Sequence, residues 1–267
     1  MLKYSFMTFA CPEYTLEEVV DAAACYGYDG VEPRAEEGHR HKIELERTAP
    51  ERLVIRKSFE YAGVAVACIA TSVQLNRSDR KGWEHMVNKT KAYCELAADL
   101  GSKRIRVFGG HDPNTSDPRA AAARVSEGLA ACADTAAQCG VFICLETHDY
   151  FSAGADVAAI CRGVGSPWIR ATWDVQHPVT AGETIGYTAP LLMPFVQHVH
   201  FHDTDRGNGK NEIVPIGAGQ APIRELLRSF RDHGYEGYVS GEWFYNHGPD
   251  LDLAHHIGAL RIIEKSL

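Results

Sequence analysis

Hydrophobic positions in this chain switch repeatedly between two periods. Short apolar or alternating runs mark strands, and runs with apolar residues three and four apart mark helices. Tyr4–Ala10 is the first apolar strand. Thr15-Leu16-Glu17-Glu18 then has the form of a capping box, with Leu16, Val19, Val20 and Ala23 on one helical face and Gly27 as the stop. Tyr28–Arg34 reads as the second strand, followed by a polar loop. Pro50–Tyr61 is a helix, Val64–Thr71 a strand, Trp83–Leu100 a long helix and Arg104–Phe108 a strand. The alternation continues through helix Pro118–Cys139, strand Val141–Leu145, helix Ala155–Arg162 and strand Ile169–Trp173. A weakly patterned helix near Thr184–Met193 and strand Val196–Phe201 come next, then helix Pro222–His233, strand Gly237–Gly241 and helix Leu251–Lys265.

Eight strand–helix units with no linker or shift in composition predict parallel strands joined by helical crossovers. In 267 residues they fit an α/β fold of one domain over 1–267, a (β/α)8 TIM barrel. The rival is a doubly wound sheet binding a dinucleotide, but no G-x-G-x-x-G follows the first strand. Hydrophobic residues at 45% and charged residues at 23% are ordinary for a globular protein. The net charge of −8 gives no basic footprint for nucleic acid or an anionic membrane. No apolar run reaches membrane-span length, and the N-terminus lacks the pattern of a signal peptide. The eight cysteines form no C-x-x-C pair and mostly fall in apolar patterns, so reduced, buried thiols and a cytoplasmic home are expected.

Chemistry concentrates at strand ends, where a barrel carries its active site. Gln197-His198-Val199-His200-Phe201-His202-Asp203 alternates histidines with apolar residues, so the histidines share one face. Strand five runs into Glu146, strand six into Asp174 and strand eight into Glu242. The neighbours Leu145, Trp173, Val175, Val199, Phe201 and Trp243 are apolar, as they must be if Glu146, Asp174, His200 and Glu242 point inward. Singly, each acid could cap the following helix and the histidine could be a satisfied core residue. Together, two Glu, one Asp and one His at matching positions form a ligand set for one divalent metal ion, Mn2+, Mg2+, Co2+ or Zn2+.

Leu145-Glu146-Thr147-His148, Trp173-Asp174-Val175-Gln176-His177, His198-Val199-His200-Phe201-His202-Asp203 and Gly241-Glu242-Trp243 resemble the xylose-isomerase-like sugar isomerase/epimerase family. That group includes ketose 3-epimerases, hydroxypyruvate isomerase, inosose dehydratase and 3-dehydroshikimate dehydratase. The resemblance spans nearly the whole chain, including Ile216-Gly217-Ala218-Gly219 and Gly234-Tyr235-Glu236-Gly237-Tyr238. It implies that Glu146, Asp174, His200 and Glu242 bind the metal and that His177 and Arg206 contact substrate. Two departures from the epimerase pattern stand out: Ser152 where a second glutamate is expected, and Asp203 in place of a glutamate.

The resemblance implies an isomerase or epimerase of a small sugar or polyhydroxy ketone, and the ligand set suggests how it would act. A metal-stabilised enediolate forms as one of Glu146 and Glu242 removes a proton, and the other glutamate returns it. Loss of a β-hydroxyl from that enediolate would make a dehydratase of an inosose or 3-dehydroshikimate type substrate instead. An abasic-site nuclease would need further His and Asp ligands that the chain does not offer downstream of Asp205, and a non-catalytic sugar-binding barrel would not need two acid–base glutamates. His111 in the loop after strand four and His202 are further candidates for substrate contact, with a solvated loop histidine the alternative for His111. Arg104 and Arg106 share an inward face, where structural pairing deep in the barrel is the expectation. Glu32 and Arg34 end strand two, and His39 and His41 lie in a loop expected to close over the site. The expected partner is a small carbohydrate, with no nucleic acid or membrane, and a homo-oligomer is compatible with the sequence.

Overall fold

The computed structural model describes residues 1–114, 117–205, 207, 212–243 and 248–267. The barrel strands are β1 (Lys3–Met7), β2 (Gly30–Glu32), β3 in two pieces (Ala65–Val66 and Ile69–Gln74) and β4 (Arg104–Phe108). They continue with β5 (Phe142–Glu146), β6 (Ile169–Asp174), β7 (Val196–Phe201) and β8 (Tyr238–Gly241). The sheet runs in the order first piece of β3, β2, β1, β8, β7, β6, β5, β4, second piece of β3, every pair parallel. Both ends of that order are the same chain segment, so the sheet closes on itself as a (β/α)8 barrel.

The break in β3 has a cause in β2. Pro33 follows Glu32 directly and has no N–H to give a neighbouring strand. Pairing therefore passes through the Pro33 carbonyl, which accepts from the Ala70 N–H at 3.0 Å, and through an isolated bridge between Arg34 and Ala70. The second piece of β3 runs to Gln74, beyond the end expected at Thr71, with a register shift against β4.

Around the barrel lie α1 (Leu16–Tyr26), α2 (Ala49–Ala62), α3 (Arg80–Asp99) and α4 (Pro118–Cys139), then α5 (Gly154–Val164), α6 (Ile185–Leu192), α7 (Ile223–Asp232) and α8 (Pro249–Lys265). The capping box at Thr15 forms, with the Thr15 N–H donating to Glu18 Oε2 at 2.7 Å, and Gly27 ends α1 at φ 79°. An unforeseen second box starts α2, where Glu51 Oε2 accepts from the N–H and the hydroxyl of Thr48 at 2.8 Å each. The apolar core fills the layer between helices and barrel: Trp173 on β6 meets Phe230 on α7 edge to face, with ring centroids 5.6 Å apart. The strand faces turned inward carry a different population, with Ser5, Glu32, Arg106, Glu146, Thr172, His198, His200 and Ser240 all buried.

All eight cysteines are free and six are buried. No helix among the described residues is long and apolar enough to cross a membrane.

Candidate metal centre

The last residues of β5 and β6, the fifth residue of β7 and the residue after β8 converge at the C-terminal mouth of the barrel. One ligand atom from each of Glu146, Asp174, His200 and Glu242 lies within 4.8 Å of the others. Parity does this: Leu145, Trp173, Val199, Phe201 and Trp243 are buried toward the helices, so their neighbours must face inward. At β8 the turn is tight. The Trp243 ring folds back across Gly241, where a Cβ would sit 1.8 Å from it, and stacks on His256 with centroids 4.0 Å apart. Glycine at 241 is therefore a steric requirement for placing Glu242.

Glu146, Asp174 and His200 are each held from the side away from the centre. Glu146 points Oε1 at His200 Nδ1, 2.7 Å away, while its Oε2 pairs with Arg106 Nε at 3.1 Å. Arg106 also donates from Nη1 to the Thr71 carbonyl at 2.6 Å and lies over the Phe108 ring. The expected buried pairing of Arg106 thus falls on a candidate metal ligand, whereas Arg104 donates to the Gln197 carbonyl at 2.6 Å, below the site. Asp174 Oδ1 accepts from the N–H groups of Gln176 and His177, at 2.8 and 3.3 Å, and Oδ2 faces His202 Nε2 at 3.0 Å. His200 Nδ1 lies 3.1 Å from Glu242 Oε2, and its Nε2 lies 3.0 Å from Glu32 Oε1. Glu32 is fully buried, and its Oε2 faces His198 Nε2 at 2.7 Å.

The electrostatics follow from this wiring. Burial alone would lower His200, but Glu32, Glu146 and Glu242 outweigh it and raise the ring well above the ordinary histidine range. Burial opposes ionisation of Glu32, yet His198 and His200 hold its carboxyl well below the usual range. For His198 burial wins over Glu32 and lowers the ring, so it stays neutral and donates from Nε2. Burial works against Asp174 and Glu242 too, and is outweighed by His202 for the first and His200 for the second, so both are lowered.

The donor set fits a divalent cation. Three carboxylates share one buried ring, and a positive charge at Nδ1 of His200 already lies between two of them; burying such charges without compensation is costly. His200 Nε2 is committed to Glu32, so a bound cation would take the place of the Nδ1 proton and leave a neutral ring coordinating through Nδ1, in the manner of a histidine ligand oriented by a carboxylate.

The other candidates are distributed around the mouth. His177 is half-buried, its ring 4.4 Å from that of His148, which also packs on Phe108 at 4.7 Å. His111 is exposed, its ring 5.9 Å from that of Tyr150. His202, expected to face substrate, is buried against Asp174. Arg206 lies outside the described residues. His39 and His41 are not on an open flap. His39 Nδ1 and His41 Nε2 lie 3.0 and 3.1 Å from Thr8 Oγ1, which also accepts the Arg34 N–H. Asp203, where a glutamate was expected, accepts four backbone N–H groups at 2.9 Å, from Thr204, Gly217, Gly219 and Ala221. It shapes the loop instead of reaching the ligand cluster. Sequence reasoning placed Glu32 at a strand end without assigning it a partner; its inward parity with Gly30, opposite Val31, was the available signal.

A family model described as xylose isomerase-like TIM barrel matches residues 20–263. The chain belongs to that family. Among its relatives, fructoselysine 3-epimerase of Escherichia coli O157:H7 is 23% identical over 251 residues, covering 90% of each chain. The fold is shared with D-psicose 3-epimerase, solved in the presence of D-fructose, at TM-score 0.83 and 19% identity, covering 98% of this chain and 99% of that one. It is also shared with the IolI protein, solved with a bound zinc atom, at TM-score 0.86 and 17% identity over 99% of each.

Proposed function

We propose that the protein is a divalent-metal-dependent isomerase or epimerase of a small sugar or polyhydroxy ketone. The observation that carries this reading is the convergence of three carboxylates and one imidazole at the mouth of a barrel of this family. The epimerase relatives and the zinc atom in the IolI protein support it. Glu146, Asp174, His200 and Glu242 would hold the ion. When bound, it supplies a positive charge beside the substrate carbonyl, which makes the adjacent C–H acidic.

The protein's own groups then move the proton. Asp174 and His200, each fixed on its far side, act as holders. Glu242 has 21% of its side chain exposed and faces the open mouth, so it takes the proton from the carbon next to the carbonyl. Glu146 returns a proton from the other side of the ring, on the same carbon for epimerisation or on its neighbour for isomerisation. His177 and Arg206 contact the substrate hydroxyls, with His111 and His202 as further candidates at the rim and against Asp174. Cytoplasmic localisation, the metal's identity and the oligomeric state belong to the same proposal.

The test is incubation of the metal-loaded protein with a panel of ketoses and inososes in D2O. Deuterium incorporation at carbon next to the carbonyl, with epimer or isomer formed, is expected. Loss of water from the substrate would select the dehydratase alternative, and no exchange with any member despite bound metal would favour a binding protein.

A further inference from the structure

Resting on the metal-site reading above, we infer that Glu32 is a positioning residue for that centre. By clamping the far side of His200 it sets the tautomer and ring orientation that leave Nδ1 for the metal. The two oxygens of one carboxylate each meet a histidine of β7, Oε2 at 2.7 Å from His198 and Oε1 at 3.0 Å from His200. The three side chains are 0% exposed, so water cannot substitute for either bond. His198 and His200 alternate on one strand face with rings 5.3 Å apart and almost perpendicular, a geometry that one bridging carboxylate satisfies. A proton on His200 Nε2 is the only one that can point at Glu32, and a neutral ring with Nε2–H has its lone pair on Nδ1. His198 Nε2 bonds to Glu32 and not to a candidate ligand, and it acts as the second anchor that keeps the carboxylate from turning away.

A different use of the same residues is a second cation, because Glu32, Cys68 and His198 also bring ligand atoms within 4.8 Å of one another. Against it, both oxygens of Glu32 are engaged with imidazoles, and burial pushes the Cys68 thiol well above its ordinary range, so it keeps its proton.

The experiment is zinc titration of the full chain against a chromophoric chelator, with wild type, Glu32→Ala and Glu32→Gln compared, and circular dichroism as the folding check. Wild type should bind one zinc per chain. Glu32→Ala should bind it roughly 100-fold more weakly and Glu32→Gln about 10-fold, since the amide keeps an acceptor for His200 but loses the charge. Histidine-labelled NMR of the zinc-loaded chains should show a strongly hydrogen-bonded Nε2–H of His200 in wild type and in Glu32→Gln, and its loss in Glu32→Ala. A purely structural Glu32 would lose that signal in Glu32→Ala but leave the zinc affinity unmoved in any variant that folds. If Glu32→Ala does not fold, Glu32→Gln carries the test. Affinity within twofold of wild type in the variants that fold would overturn the inference while leaving the metal site standing. Two zinc ions per wild-type chain, one lost in Cys68→Ser, would overturn it by making Glu32 a ligand. A wild-type chain that takes up no zinc would overturn the metal site and this inference together.

Discussion

Replacing His41 with Gln measures how the loop after β2 is fastened to the barrel mouth. The Ile43 N–H donates to His41 Nδ1 at 3.0 Å, so the ring proton must be on Nε2, directed at Thr8 Oγ1. The Thr8 hydroxyl then donates to His39 Nδ1, and a proton added to either Nδ1 would break the arrangement. Burial, with His39 as a smaller contribution, lowers His41 from 6.5 to about 3. For a base lowered in the folded state, the unfolded chain binds more protons between those two values, so stability falls as the pH drops through that window. From pH 7 to pH 5 this single ring costs the wild type about 2 kcal/mol. His41→Gln should be less stable than wild type at pH 7 by about 1–3 kcal/mol, from the lost bonds to Thr8 and Ile43. At pH 5 the gap should shrink by about 2 kcal/mol, because the variant has no ring to protonate. Urea denaturation of metal-free protein at both pH values reads this directly, with equal m-values as the check on two-state behaviour. A gap constant to within about 0.5 kcal/mol would show that His41 is not held neutral, and that the Thr8 network does not tie this loop down.

Other changes test the centre itself. Glu242→Gln and Glu146→Gln should each lower kcat by about 100-fold or more while zinc or manganese content stays measurable, and near wild-type turnover in both would refute the two-carboxylate mechanism. Arg106→Met removes a charge from a pair whose side chains are each 1% exposed, and should cost about 3–5 kcal/mol in metal-free protein; a loss under about 1 kcal/mol in urea unfolding would contradict the buried pairing. Asp203→Asn turns an acceptor oxygen into a donor facing two backbone N–H groups, and should lower stability by about 2–4 kcal/mol, read as a fall in Tm. His177→Ala should raise KM or lower kcat with metal content unchanged, and loss of metal would move His177 from substrate to ligand support.

The barrel was legible because its strands and helices differ in period, and because caps such as Thr15–Glu18 with Gly27 mark their ends. The four candidate ligands were legible for a related reason: parity along a strand forces a polar residue between two buried apolar ones to face inward. What could not be read depends on contacts distant in sequence. The split of β3 follows from Pro33, which directly follows another strand. The hairpin of Asp203–Asp205 with Glu212–Val214 pairs segments whose own pattern is too short to signal a strand. Thr8 extends an apolar run, which suggested a strand to Ala10, yet the chain turns there into a short 3-10 helix and its hydroxyl gathers bonds from three residues of the next loop. His39 and His41 looked like flap residues because a polar loop gives no sign of the partner that buries it. Glu32 meets His198 across 166 residues of chain, a distance at which no local pattern carries information.

The four candidate ligands are not fastened equally, and the difference bears on which of them moves a proton. Arg106 on β4 holds Glu146, the N–H groups of Gln176 and His177 together with His202 hold Asp174, and Glu32 on β2 holds His200. Among the described residues Glu242 makes one ion pair, to His200 Nδ1, the atom that a metal ion would claim. Were that contact given up to a bound ion, the Glu242 carboxylate would be free to turn toward a substrate, and it alone of the four is partly exposed, at 21% of its side chain. A base must approach a carbon acid whose position varies between the two faces of the reaction, and a carboxylate pinned by a guanidinium cannot follow it. In the proposed reaction Glu242 therefore makes the larger excursion, and Glu146 acts from a fixed position, with Arg106 stabilising its charge each time it gives up a proton.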